Sequence, residues 1–268
     1  MRWPWRTRRE LLIDDTAMRA LALAWPLLAR LSQDETQRLR ELMAQFLSNY
    51  TLTGAQGLVV TDAMRLQVAA QGCLPVLQLG LQAYDRFSEV ILYPCAFEVH
   101  RRIETPEGLV SEFDDLLSGE ALHGGPVVLS WDDAAPADLA QGAGNLIIHE
   151  FAHKLDMAEG EADGCPPMPA SRQSHWRQTL QKALQDFTEM VDRIEAAIPA
   201  NVDPESPQAD PWYALLPLDP YAASDSAEFF AVSTEKFFVD PVTLQAEFGE
   251  LFIQYKRYFG IDPLKWHS

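Results

Sequence analysis

Cysteine is scarce in this 268-residue chain. Cys73, Cys95 and Cys165 are an odd number with no C-x-x-C spacing, which argues against a disulfide framework and against a thiolate metal site. Each is expected to be a small hydrophobic filler or an inert loop thiol, in a reducing compartment. Positive charge is scarce too. Lys and Arg total 21 against 39 Asp and Glu, a formal net charge of −18. Such a field repels nucleic-acid phosphates, whose binding depends on clustered Lys and Arg, so no direct nucleic-acid partner is expected. Long apolar runs are missing. No stretch reaches the ~18–20 uninterrupted apolar residues of a membrane-spanning helix. Ala20–Ala29 is a poor signal-peptide core, because Pro26 interrupts it and Glu10, Asp14 and Asp15 precede it. A cytoplasmic protein without a membrane partner is the expectation. The one concentrated basic stretch, Met1–Arg9 with Trp3 and Trp5, reads as a solvated terminus.

What is present describes a globular chain. Hydrophobic residues make up 47% and charged residues 22%, near the averages for soluble domains. A single domain over residues 1–268 is expected, helical over about 1–56, sheet-containing over about 57–143 and helical again over about 144–268. Ser32 followed by Glu35 forms a capping box, and Leu39, Leu42, Met43, Phe46 and Leu47 recur at helical spacing behind it. Short β-branched and aromatic runs then predict strands at Gly57–Thr61, Glu89–Tyr93, Phe97–Arg102, Gly108–Phe113 and Pro126–Trp131, in a small mixed or antiparallel sheet. Asp62–Gln71 and Val76–Tyr84 read as helices between them. Downstream, Trp176, Leu180, Leu184, Phe187, Val191, Ile194 and Ile198 mark one long amphipathic helix. The proline-rich Pro199–Pro220 predicts a surface loop or lid, and Ser224–Val239 and Pro241–Tyr258 predict two closing helices. The fold class is α+β, mainly helical.

Chemistry concentrates in His149-Glu150-Phe151-Ala152-His153, an H-E-x-x-H sequence. On a helix, positions four apart share one face, so the two imidazoles can share one ion. Zinc accepts neutral imidazole nitrogen and, in catalytic sites, keeps its fourth position open for water. Glu150, about 100° around the helix from His149, can reach that water without ligating the metal. Leu146, Ile147, Ile148, Phe151, Ala152 and Leu155 supply the apolar surface that would bury such a helix.

A third ligand must come from elsewhere. The glycine-containing extension of the metzincins is absent, since Asp156 stands where Gly would and Glu159 where a third His would. A carboxylate on a later helix is the remaining common solution. Glu228 and Glu235, seven residues apart on one helical face, are both candidates on the residues alone. His100, His123, His175 and His267 are expected to be non-ligands.

His149–Asp156, His-Glu-Phe-Ala-His-Lys-Leu-Asp, together with Asp219-Pro-Tyr-Ala-Ala-Ser-Asp-Ser-Ala-Glu-Phe-Phe230, resembles the Mlc titration factor A family of bacterial zinc peptidases. The tyrosine-to-glutamate spacing is also similar to the catalytic domain of anthrax lethal factor, which implies a gluzincin-like site in a zincin-like domain. The resemblance implies Zn2+ held by His149, His153 and Glu228, with Glu150 as general base and Tyr221 as a hydrogen-bond donor to the transition state. It further implies a peptide substrate, modest aminopeptidase-like activity, and a protein partner in the glucose-linked transcription repressor Mlc. Val232 departs from the lethal-factor pattern, which has an acid there, and leaves Asp156 or Glu235 to orient an imidazole. The reading from a different class is a non-catalytic, repressor-sequestering protein with a structural or vestigial zinc site.

Overall fold

A computed structural model describes residues 13–84, 86–104, 110–134 and 144–267, with 98–104 and 110–116 described by backbone alone. Met1–Arg9 and the start of the strand expected from Gly108 lie outside the described residues. Asp14 caps α1 (Asp15–Ala24) by accepting from the Ala17 amide. The expected capping box closes at α2 (Gln33–Asn49), with Ser32 and Glu35 each accepting from the other's backbone N–H. Leu39, Leu42, Met43 and Phe46 turn into the core, as their spacing predicts.

The sheet departs from expectation at its first strand. Gly57–Thr61 is not a strand; β1 is Thr51–Gly54. Gln56 at φ 49° and Gly57 at φ 84° reverse the chain between the two segments, and β-branched composition alone does not distinguish them. A helix follows as α3 (Asp62–Cys73), capped by Thr61. The predicted helix at Val76–Tyr84 is instead a set of turns ending in one 3-10 turn at Leu81–Ala83, since Gly80 at φ 80° stops any helix there.

The strands β2 (Glu89–Tyr93), β3 (Phe97–Glu104), β4 (Val110–Leu117), β5 (Gly119–Ala121) and β6 (Val127–Ser130) form two sheets. The larger is mixed, in the order β1-β2-β6-β5, with β6 parallel to β2 and antiparallel to β5. The other two strands form a separate antiparallel hairpin. The strand expected at Pro126–Trp131 is β6, central in the sheet and buried at all four residues. Pro126 stands just before its first residue, where a missing N–H costs nothing.

Beyond α4 (Trp131–Ala134) come α5 (Leu146–Asp156), the 28-residue α6 (Ala170–Ala197) and the short α7 (Asp210–Tyr213). The proline-rich stretch holds more helix than expected: 3-10 turns at Pro207–Ala209 and Pro220–Ala223 start at prolines, which suit a first helical turn. α8 (Ser226–Val239) ends before Pro241 as predicted. The last expected helix is two, α9 (Pro241–Glu247) and α10 (Gly249–Phe259), parted at Phe248, whose φ −130° and ψ 56° are not helical. The fold is α+β and mainly helical.

α5 is packed on two sides. Phe151 enters a cluster with Phe46, Tyr84 and Phe87, and a Cβ at Gly72 would meet its ring at 2.9 Å, so α3 lies close against it. On the other side α8 rests on Trp176, Tyr255 and Phe259 through Phe230 and Phe237. Both helices that carry the candidate site are thus anchored by aromatic burial worth several kcal/mol each.

Candidate metal centre

Asn145 starts α5 by accepting from the Ile148 amide at 2.9 Å. Burial of Ile147, Ile148, Phe151 and Leu155 then sets the helix's rotation, leaving His149 and His153 side by side with ring centroids 4.8 Å apart. Asp225 caps α8 by accepting from the Ala227 and Glu228 amides. Glu228, in the first turn, brings Oε2 to 3.2 Å from His149 Nε2 and 3.4 Å from His153 Nε2, while the two Nε2 atoms are 3.1 Å apart. Ligands at ~2.0–2.1 Å around a tetrahedral ion would be separated by ~3.3–3.4 Å, so these three atoms have the spacing of one ion's ligands. Among the described residues, His149, His153 and Glu228 form the group that could hold a metal ion.

Electrostatics ask for a cation at the same point. His149 Nδ1 lies 2.6 Å from Glu235 Oε1, and a neutral ring that donates there turns its Nε2 lone pair toward the Glu228 carboxylate. Glu228 Oε2 is buried without a hydrogen-bond partner although both rings are near. In the metal-free protein protons answer this demand. Burial opposes charge on His149, but the carboxylates of Glu228 and Glu235 raise its pKa well above the usual value. Burial likewise pushes Glu228 up, yet the two rings hold it well below the usual carboxylate range. A divalent ion supplies the same positive charge with better geometry.

The ambiguity between the two glutamates is one of geometry. Glu228 meets the Nε2 side of the rings, whereas Glu235 sits behind His149, its other oxygen accepting from the Asn145 amide at 2.5 Å. Glu235 therefore ties the ring to the helix's own cap. Asp156, the other candidate for orienting an imidazole, is turned away: Oδ2 accepts from the Gly164 amide at 2.7 Å, and His153 Nδ1 has no hydrogen-bond partner. Burial raises the Asp156 carboxyl to about 6.

Glu150 is buried, with Oε2 unpartnered, and burial pushes its carboxyl up to about 7 against the pull of the two histidines. Its Oε1 lies against Gly119 of β5, where a Cβ would fall 2.3 Å away. Tyr221 stands on the 3-10 turn that Asp219 starts by accepting from its amide. It is 54% exposed, its ring 6.5 Å from that of His149, and burial together with Glu228 and Asp225 lifts its hydroxyl to about 12. It is therefore a hydrogen-bond donor at neutral pH. His123 and His175 are exposed, and His267 faces the Phe238 carbonyl, all away from this cluster; the side chain of His100 lies outside the described residues.

A family model described as glucose-regulated metallo-peptidase M90 matches residues 2–260. The chain belongs to this M90 metallo-peptidase family. Relatives named Mlc titration factor A agree: that of Serratia proteamaculans is 35% identical over 98% of this chain and 94% of its own. The protein of that name from Pectobacterium atrosepticum is 36% identical over 98% and 93%, and that from Edwardsiella ictaluri 37% identical over 99% and 95%. The M90 match spans α5 and α8, so both halves of the cluster lie within it.

Two residues packed around this cluster carried no signal in the sequence. Gly119 is one of 14 glycines, and nothing beside it marks its contact with Glu150. Lys154, which is completely buried on α5, looks in sequence like any solvated lysine of a helix.

Proposed function

We propose that this protein is a zinc-dependent peptidase in which His149, His153 and Glu228 hold the metal, Glu150 is the general base and Tyr221 donates to the oxyanion. The observation that carries the reading is the ligand-like spacing of the two Nε2 atoms and Glu228 Oε2, beside the unpartnered oxygen of Glu150. Two imidazoles and one carboxylate are a donor set suited to zinc with its fourth position open. Zinc held there would polarise a carbonyl and lower the pKa of a bound water to ~7. Glu150 Oε2 accepts the proton of the attacking water and delivers it to the leaving amine; a carboxyl near 7 can do both at neutral pH. The Tyr221 hydroxyl keeps its proton and donates to the oxygen on which charge develops.

The sheet favours an extended peptide as substrate. The amide of Ser130 donates to the Ser118 carbonyl and that of Leu122 to the Pro126 carbonyl, so the hydrogen-bonded pairs of the β5–β6 ladder fall on even-numbered residues of β5. Gly119 and Ala121 therefore point their N–H and C=O groups outward, and among the described residues no strand pairs with that edge. A peptide that adds there runs past Glu150. Aminopeptidase-like action is the narrower form of the proposal. The relatives' name supports a second reading, titration of Mlc, a partner role that needs no hydrolysis and would place the protein in the cytoplasm.

Protein purified without added metal is expected to contain about one zinc per chain by elemental analysis. It should cleave peptides in a way that a chelator stops and zinc restores. Cleavage confined to free-amine peptides would mark an aminopeptidase. A chain that neither carries nor takes up zinc would end the proposal. Glu235→Gln is expected to weaken metal binding about 10–100-fold in competition with a chelating dye, because the carboxylate behind a ligand histidine fixes its tautomer and orientation. Unchanged affinity would remove Glu235 from the site.

A further inference from the structure

Lys154 is fully buried although lysine is almost never so placed without partners. It lies four residues after Glu150, on the same face of α5 and one turn along. Its Nζ donates to the carbonyls of Leu122 at 2.5 Å and Gly125 at 2.9 Å and stands 5.2 Å from the centre of the Phe87 ring. Leu122 and Gly125 are the two ends of the turn that joins β5 to β6, closed by the Gly125 amide donating to the Leu122 carbonyl. One helix face thus touches both ends of β5: Glu150 meets Gly119 at its start, and Lys154 grips the turn at its finish.

A three-residue strand is held by few ladder hydrogen bonds, and a one-residue slip would reverse which side of it faces the helix. Such a slip would break two charge-assisted hydrogen bonds, which are strong in a buried site. We propose that Lys154 is a positioning residue that locks the register and height of β5 against the metal helix, and so sets where an extended peptide lies relative to Glu150. The proposal rests on the peptidase reading above for its consequence in turnover, but the lock itself is testable without it.

The test is Lys154→Met, which keeps the apolar stem and removes the donors. The probes are an octapeptide able to pair along β5 and a single-residue arylamide too short to do so. For the octapeptide we expect KM to rise at least tenfold with kcat changed less than threefold; for the arylamide, both constants should stay within threefold. Zinc content should be unchanged, and the amides of Leu122 and Ser130, which donate across the hairpin, should exchange with solvent at least ten times faster. Equal losses on both probes, or loss of zinc, would show a merely structural lysine and overturn the proposal, as would unaltered exchange. Absence of hydrolysis by the wild-type zinc protein would sink the peptidase reading alone, and the exchange result would still decide the lock. Should the variant not fold, wild-type exchange decides: the Leu122 and Ser130 amides should open within tenfold of Phe151–Leu155 in α5. Hairpin opening a hundred times more frequent than helix opening would overturn the lock.

Discussion

Glu150→Gln is expected to lower kcat on peptides by about 10²–10⁴-fold, the usual contribution of a general acid–base, with metal content and fold retained. The substitution keeps size and shape at a buried position but removes a group that can both take and return a proton. Because Glu150 is not one of the three residues grouped as ligands, zinc should remain bound. The same variant separates the two readings of function: on the peptidase reading hydrolysis should collapse, whereas on the other any binding of Mlc should persist. Equal turnover by the variant would remove Glu150 from the chemistry.

Stability of the chelated protein gives an independent signature of that residue. Burial raises the Glu150 carboxyl from 4.5 to about 7, so the native state binds its proton more tightly than the unfolded chain does. Its contribution is fully present below pH ~4.5 and is lost as pH rises through about 7, on the order of 3 kcal/mol. Denaturant titrations of chelated wild type between pH 5 and 8 should show a loss to which the raised Asp156 and His149 also contribute, and Glu150→Gln should show a smaller one. A variant with the same pH dependence as wild type would contradict the burial assigned to Glu150.

Gly119→Ala is expected to reduce kcat about 10²-fold, a loss of the kind caused by moving a reacting group by an ångström. The added Cβ would lie 2.3 Å from Glu150 Oε1, 2.8 Å from Cδ and 2.9 Å from Cγ, so the carboxylate must leave its place or β5 must. Either movement separates Glu150 from the edge at which a peptide would lie. The three atoms nearest such a Cβ all belong to Glu150 and none to His149, His153 or Glu228, so zinc affinity should change little. Full activity in the alanine variant would mean that the close approach of β5 to Glu150 has no part in turnover. Loss of zinc alongside activity would point instead to a general disturbance of α5.

Local features were legible because local physics sets them. The Ser32–Glu35 box, the H-E-x-x-H pair on one helix face and the stop of α8 before Pro241 depend on residues within a turn or two of each other. The exceptions were also local but evenly balanced. Thr51–Gly54 and Gly57–Thr61 are both short and β-rich, and only pairing with β2 selects the first. The single helix expected over Pro241–Tyr258 is parted at Phe248, whose ring packs with Phe187 and Phe229, a long-range contact invisible to periodicity.

By itself the sequence determined the candidate ligand pair: His149 and His153 are four residues apart on a helix whose apolar positions compel its burial, and Glu150 comes with them. It also narrowed the third ligand to two glutamates on one later helix. Which of these meets the rings, and which stands behind one of them, was decided only by how α8 crosses α5, since residues seven apart occupy the same face and differ only in position along the axis. Gly119 and Lys154 belong wholly to the tertiary structure. Their significance arises where β5 and its turn lie against α5, across roughly thirty residues of chain, and no local pattern records a contact made at that distance.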